Sequence, residues 1–201
     1  MKMAVLASGY GSNLQAIIDA LEKGDINGSL EIVVSDKKDA YALERAGNHN
    51  IEAHYINPKN FSGREAFDLA VIGLLQEKKI DLVILAGYMR LLSPVFVNQF
   101  MGRIMNIHPS LLPSFPGLNG VEQALEYGVK VTGCTVHFLD EGLDTGPVIL
   151  QDTVPVYESD TVETLHERIH SAEHRLYTRA IQLFAQGKLR IEGRKCIIND
   201  G

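Results

Sequence analysis

No apolar run in this chain outlasts a strand; the longest, such as Leu82-Val83-Ile84-Leu85-Ala86, fall far short of a bilayer span. A transmembrane helix needs about 20 such residues, so none is expected. The apolar start, Met3 to Ala7, runs into a glycine turn too soon for the apolar region of a secretory signal. Cysteine is scarce: Cys134 and Cys196 are the two present. A disulfide framework is therefore not expected, and free thiols in a cytoplasmic protein are the simplest account. Basic charge is in deficit, 19 Lys and Arg against 25 Asp and Glu, for a formal net charge of -6. That balance disfavours non-specific binding to nucleic acid or anionic lipid, while leaving room for a local basic pocket. Low-complexity segments, proline-rich linkers and internal repeats are absent too. What remains is ordinary for a globular domain: 45% hydrophobic and 22% charged residues over 201 positions. This length supports one sizeable core, so a single domain over residues 1–201 is expected.

Strand and helix signals alternate. Strands are expected over residues 2–7, 30–34, 53–56 and 82–86, with helices over 40–46 and 64–79. A further helix starts at Ser12 as its cap and carries Leu14, Ile17, Ile18 and Leu21 at helical spacing. Residues 82–86 are apolar without interruption, as in a strand buried on both faces. The second half continues with strands over 103–107 and 131–138 around a helix at 121–127. Residues 148–154 suggest an antiparallel strand, 161–186 a long amphipathic helix, and 189–198 a hairpin. The expected fold class is α/β: a doubly wound, mostly parallel sheet with helices on both faces and an antiparallel C-terminal extension. Ligands of such sheets gather at the carboxyl ends of the strands.

Ser8-Gly9-Tyr10-Gly11-Ser12-Asn13 joins the first strand to the first helix. Glycines allow a tight turn and close backbone approach, and a helix N-terminus suits an anion. A dinucleotide fingerprint, with Asp36 on the ribose, lacks its third glycine because Leu14 stands there. No Lys-Ser or Lys-Thr follows to make a P-loop. A monophosphate site and a capped turn without ligand both remain.

The densest chemistry lies in Asn106-Ile107-His108-Pro109-Ser110-Leu111-Leu112-Pro113. Strand alternation puts Asn106 and His108 on one side, near the strand's carboxyl end. Asp140 to Pro147, rich in turn residues, leaves the next strand. Taken alone it is an acidic surface loop; beside the histidine, Asp144 would favour the imidazolium. An amide and an imidazolium aimed at one point can stabilise an oxyanion. No serine or cysteine nucleophile is evident, so an acceptor would attack directly.

These motifs resemble those of the phosphoribosylglycinamide formyltransferases, folate-dependent enzymes of purine synthesis in the wider formyltransferase superfamily. The resemblance rests on Ser8 to Ile17, Leu85 to Leu92, Asn106 to Pro113 and Asp140 to Pro147, and runs nearly end to end. It implies transfer of a formyl group from 10-formyltetrahydrofolate, as co-substrate, to the amine of glycinamide ribonucleotide, without a metal. By resemblance, Asn106, His108 and Asp144 are catalytic, with Asp144 raising the pKa of the proton donor His108. Gly11, Ser12, Asn13 and Glu173 would bind the ribonucleotide. Arg64, Met89, Arg90, Leu91, Leu92, Asn106, Asp140 and Glu141 would line the folate site. Small molecules would be the partners, with neither nucleic acid nor membrane, and the chain would act as a monomer or homodimer.

Three other readings compete. His166-Glu167-Arg168-Ile169-His170 matches the H-E-x-x-H of helical zinc proteases, with Glu192 as a distant third ligand. Against it, Arg168 would set a positive charge beside a dication, and a solvated face of a long helix accounts for the same residues. A methionyl-tRNA formylating relative would share the Asn-x-His stretch but carry an added nucleic-acid-binding domain. A non-enzymatic nucleotide-binding module explains the glycine turn but not Asn106, His108 and Asp144 together.

Overall fold

A computed structural model describes residues 1–199. The chain forms two compact units, the first ending at Met105 and the second beginning at Asn106.

The first unit holds strands β1 (Lys2–Leu6), β2 (Ser29–Ser35), β3 (Glu52–Tyr55) and β4 (Leu82–Leu85), in the order β3-β2-β1-β4. The β1–β2, β1–β4 and β2–β3 pairs are all parallel. Helices α1 (Ser12–Glu22), α2 (Tyr41–Asn48) and α3 (Arg64–Glu77) make the crossovers. Met3, Val5, Leu82 and Ile84 are wholly buried, which is why β1 and β4 read as unbroken apolar runs. The edge strand β3 is short and mostly exposed, as an unpaired edge should be.

Two local features depart from expectation. Ser12 is the first helical residue of α1, and Gly11, at φ 76°, is the cap, with no side-chain capping bond. The turn needs a left-handed residue there, so glycine takes the cap position and serine moves inside. A helix not anticipated, α4 (Pro94–Gln99), follows Ser93, whose hydroxyl accepts from the Phe96 N–H. Ser-Pro is itself a helix start: serine caps, and proline at the first position has no N–H to leave orphaned.

The second unit contains β5 (Ile104–His108, its first two residues belonging to the first unit), α5 (Gly120–Tyr127), β6 (Val131–Phe138) and β7 (Val148–Pro155). The long helix α6 (Val162–Ala185) follows, then β8 (Leu189–Glu192) and β9 (Lys195–Ile198). Strand order here is β5-β6-β7-β9-β8. As expected, β7 runs antiparallel to β6, and β8 and β9 form an antiparallel hairpin. Thr161 caps α6 in a reciprocal box with Thr164. Leu165, Ile169 and Ala172 of α6 pack with Val121, Cys134 and Val154 into the core of this unit.

Candidate active site

β5 ends in Asn106 and His108, two residues apart and so on one side of the strand. Pro109 and the cis Leu112–Pro113 bond then turn the chain back. Thr135 on β6 pins this turn: its hydroxyl donates to the Ser110 carbonyl at 2.7 Å and accepts from the Leu112 N–H at 3.0 Å. Gln151 on β7 donates to the Leu112 carbonyl at 2.9 Å. The strand end is therefore held from the next two strands of the sheet, β6 and β7.

The ring is buried between two acceptors. Nε2 donates to the carbonyl of Phe115 at 2.8 Å. Nδ1 faces Asp144 Oδ2 at 3.5 Å, with both side chains more than nine-tenths buried. The same Oδ2 accepts from the Gly117 N–H at 2.8 Å, so the carboxylate is anchored independently of the histidine. Asp144 takes φ 54°, a left-handed conformation that a short polar side chain tolerates. Burial of a carboxylate is costly unless it is hydrogen-bonded or paired, and here it has both kinds of partner.

His137 on β6 is fully buried. Its Nδ1 donates to the Phe138 carbonyl at 2.9 Å, leaving Nε2 to accept from Asn106 Nδ2 at 3.3 Å. Burial pushes the His137 pKa down, with the Phe138 carbonyl opposing, so the ring stays neutral and keeps that lone pair. Nε2 also lies 3.8 Å from Asp144 Oδ1. The structure thus gathers Asn106, His108 and Asp144 around His137.

In the first unit, the turn at residues 8–13 is strongly constrained. Gly11 admits no side chain, since a Cβ would sit 2.9 Å from that of Ala42. The Ala42 N–H donates to the Gly9 carbonyl at 3.1 Å, and Arg45 Nε to the Tyr10 carbonyl at 3.0 Å. Ser12 and Asn13 open α1 directly behind this turn. Asp36, weighed above as a ribose acid, is buried and accepts from the Ser8 hydroxyl at 2.6 Å. Ser8 Oγ in turn accepts from the Met89 N–H at 2.9 Å, tying the end of β1 to the segment after β4.

The residues expected on the folate side are scattered in kind. In the first unit, Met89 and Leu91 are largely exposed, Leu92 half-buried, and Arg64 exposed at the start of α3. The Arg90 guanidinium lies 4.6 Å above the Phe67 ring. In the second, Asp140 Oδ1 accepts from the Gly142 N–H at 3.0 Å and from Thr145 Oγ1 at 2.7 Å, so it shapes its own loop; Glu141 is exposed. Glu173 is buried on α6, with Oε2 3.8 Å from His170 Nε2.

The second unit thus carries Asn-x-His at a strand end, with the histidine facing an anchored carboxylate. The chain belongs to the formyl transferase family, whose model matches residues 1–181 and so runs through both units. It is 47% identical over 191 residues to the phosphoribosylglycinamide formyltransferase of Escherichia coli K12, covering 95% of this chain and 90% of that protein. It is also 47% identical to part of the Homo sapiens trifunctional purine biosynthetic protein adenosine-3, covering 99% of this chain but only 20% of the human protein. The chain thus spans about a fifth of that relative. Among solved structures, glycinamide ribonucleotide transformylase 1 from Symbiobacterium toebii superposes with a TM-score of 0.98 at 54% identity, covering 100% of this chain and 94% of that one. The fold is accordingly α/β, with a mostly parallel mixed sheet and helices on both sides, as expected from the alternation of elements.

Proposed function

We propose that this chain transfers the formyl group of 10-formyltetrahydrofolate to the amine of glycinamide ribonucleotide, in purine biosynthesis. The observation that carries the proposal is the buried His108, set between Asp144 and the Phe115 carbonyl, with Asn106 two residues before it on the same strand. Both ring nitrogens face oxygens that can only accept, an environment suited to a doubly protonated ring with Asp144 as its counter-charge.

In this mechanism the neutral amine of the ribonucleotide attacks the formyl carbon. A new C–N bond forms and charge gathers on the formyl oxygen. The Asn106 amide and protonated His108 stabilise that oxyanion; losing one such donor costs roughly 10²–10³ in rate. The tetrahedral species then collapses: its bond to the folate nitrogen breaks, and the proton shed by the amine ends on that nitrogen, with imidazole and water as carriers. His137 holds the Asn106 amide in place. For Nε2 to reach the formyl oxygen, the Phe115 carbonyl yields its hydrogen bond. The two donors supply the charge stabilisation, so the step is proposed to run without a metal.

The binding assignments are part of the same proposal. Gly11, Ser12 and Asn13 take the phosphate, on the strength of a turn closed to any side chain and a helix N-terminus behind it. Glu173 takes the ribonucleotide. Arg64, Met89 to Leu92, Asn106, Asp140 and Glu141 take the folate. Residues 1–201 act as one formyltransferase domain, as a monomer or homodimer in the cytoplasm, with neither nucleic acid nor membrane as partner. Among the described residues no helix is long and apolar enough to cross a membrane.

The test mixes the purified chain with both substrates in the presence of EDTA and follows the deformylated folate spectroscopically. Turnover that requires the ribonucleotide and survives EDTA is expected; no turnover by a folded sample contradicts the proposal.

A further inference from the structure

Helix α6 carries three histidines one turn apart, His166, His170 and His174. Residues four apart on a helix share one face. The rings of His166 and His170 have centroids 4.0 Å apart and are tilted by 45°; His170 and His174 are 6.2 Å apart. His166 is exposed and His170 half-buried, so the first pair is open to solvent. Two imidazoles four residues apart on one helix face have the spacing that helical zinc sites use.

Two neighbouring features favour a cation there. The buried Glu173 carboxylate lies 3.8 Å from His170 Nε2, where it can orient a ligating imidazole. Arg168, which the sequence set against a metal here, is directed elsewhere. Its two terminal nitrogens each lie 2.8 Å from an oxygen of Asp160, and its guanidinium stacks 4.5 Å from the Tyr157 ring. The charge that counted against an ion is therefore already paired.

The arrangement is not that of a zinc protease. Glu192, the residue considered as third ligand, lies on β8. Among the described residues no group of three or more His, Cys, Asp or Glu is gathered to hold a metal. Two imidazoles with water completing the shell make an open, moderate-affinity site. Such ligands select zinc, nickel or copper over magnesium or calcium, which prefer oxygen.

We propose that His166 and His170 chelate one divalent transition-metal ion, and that the bound ion competes with the ribonucleotide. The second clause rests on the proposed contact of Glu173 with that substrate, since Glu173 shares the helix face of the histidine pair. The ion would act as an inhibitor, outside the chemistry assigned to Asn106, His108 and Asp144.

The test titrates zinc chloride, and separately magnesium chloride, into the untagged full chain by calorimetry, in a non-chelating buffer at pH 7.5. His166→Ala is measured alongside; His166 is exposed and outside the proposed machinery, so fold and basal activity should be unchanged. One zinc per chain is expected, with a Kd on the order of 10 µM, reflecting about half the binding free energy of a closed four-ligand site. Magnesium should not bind, and His166→Ala should weaken zinc at least tenfold. Zinc should raise the KM for the ribonucleotide in the unmodified chain and leave that of His166→Ala unmoved. No zinc binding, or an unchanged Kd in His166→Ala, overturns the chelate. Binding through His166 that leaves the KM unmoved overturns the competition. Calorimetry needs no turnover, so a chain that transfers no formyl group would refute the proposed function while the chelate was still decided.

Discussion

His108 Nε2 lies 2.8 Å from the carbonyl oxygen of Phe115, seven residues along the chain. A carbonyl only accepts, so this nitrogen carries a hydrogen, and the carboxylate of Asp144 waits 3.5 Å from the other. Both ring nitrogens thus face oxygen acceptors. The Phe115 carbonyl occupies the hydrogen that the formyl oxygen takes in the proposed transition state.

Asp144→Asn should retain the fold and lose most activity. Asparagine adopts the left-handed conformation at φ 54° readily, and its amide oxygen can still accept from the Gly117 N–H. The imidazolium, however, loses its counter-charge. A fall in kcat of roughly 10²–10³ with little change in Tm is expected. Near-normal turnover at neutral pH would remove Asp144 from the mechanism.

His137→Phe fills similar space but offers Asn106 no acceptor. With the amide free to turn away from the formyl oxygen, kcat should fall about tenfold, the equivalent of one hydrogen bond of about 1.4 kcal/mol. Both KM values should stay within about twofold. A drop in Tm with unchanged kcat would mean that His137 supports packing alone.

Gly11→Ala forces a side chain onto a left-handed residue and into Ala42. The backbone strain alone costs about 1–2 kcal/mol. Thermal denaturation should show the loss, and the KM for the ribonucleotide should rise while that for the folate holds. An equal rise in both would argue against a phosphate site at this turn.

Stability should fall in mild acid. Burial lowers the pKa of His137 below its ordinary value, and that of His170 to about 4. The unfolded chain therefore binds more protons than the folded one once the pH drops below about 6.5. This stabilisation is present above that pH and is lost progressively toward the folded values. In EDTA, Tm should be flat from pH 8 to 7 and decline from 6.5 to 5, with a shallower decline in His170→Gln. A Tm that rises over that interval would contradict the assigned protonation states.

Much of this was legible in the sequence because its cause is local. Alternation fixes the faces of Asn106 and His108, unbroken apolar runs mark β1 and β4, and helical spacing marks α6. The acidic loop was readable as a partner because it leaves the strand after the histidine's own. What escaped depends on residues distant in sequence. Nothing near Asn106 announces that His137, 31 positions later, accepts from its amide. Nor does the chain announce that the Gly117 N–H anchors Asp144. Asp36 had the spacing of a ribose acid, but the Ser8 hydroxyl takes its carboxylate. Ser12 lost the cap of α1 because the turn requires a left-handed residue that glycine supplies better. Arg168 looked like a charge beside His170 until Asp160, eight residues earlier, claimed it.

The most direct measurement is a single turnover with ¹³C-formyl-labelled 10-formyltetrahydrofolate, glycinamide ribonucleotide and the purified chain, followed by NMR. The account predicts that the label moves to the ribonucleotide amine, and that Asp144→Asn slows the transfer by roughly 10²–10³. Label that stays on the folate, or appears as free formate with the ribonucleotide unmodified, would contradict it.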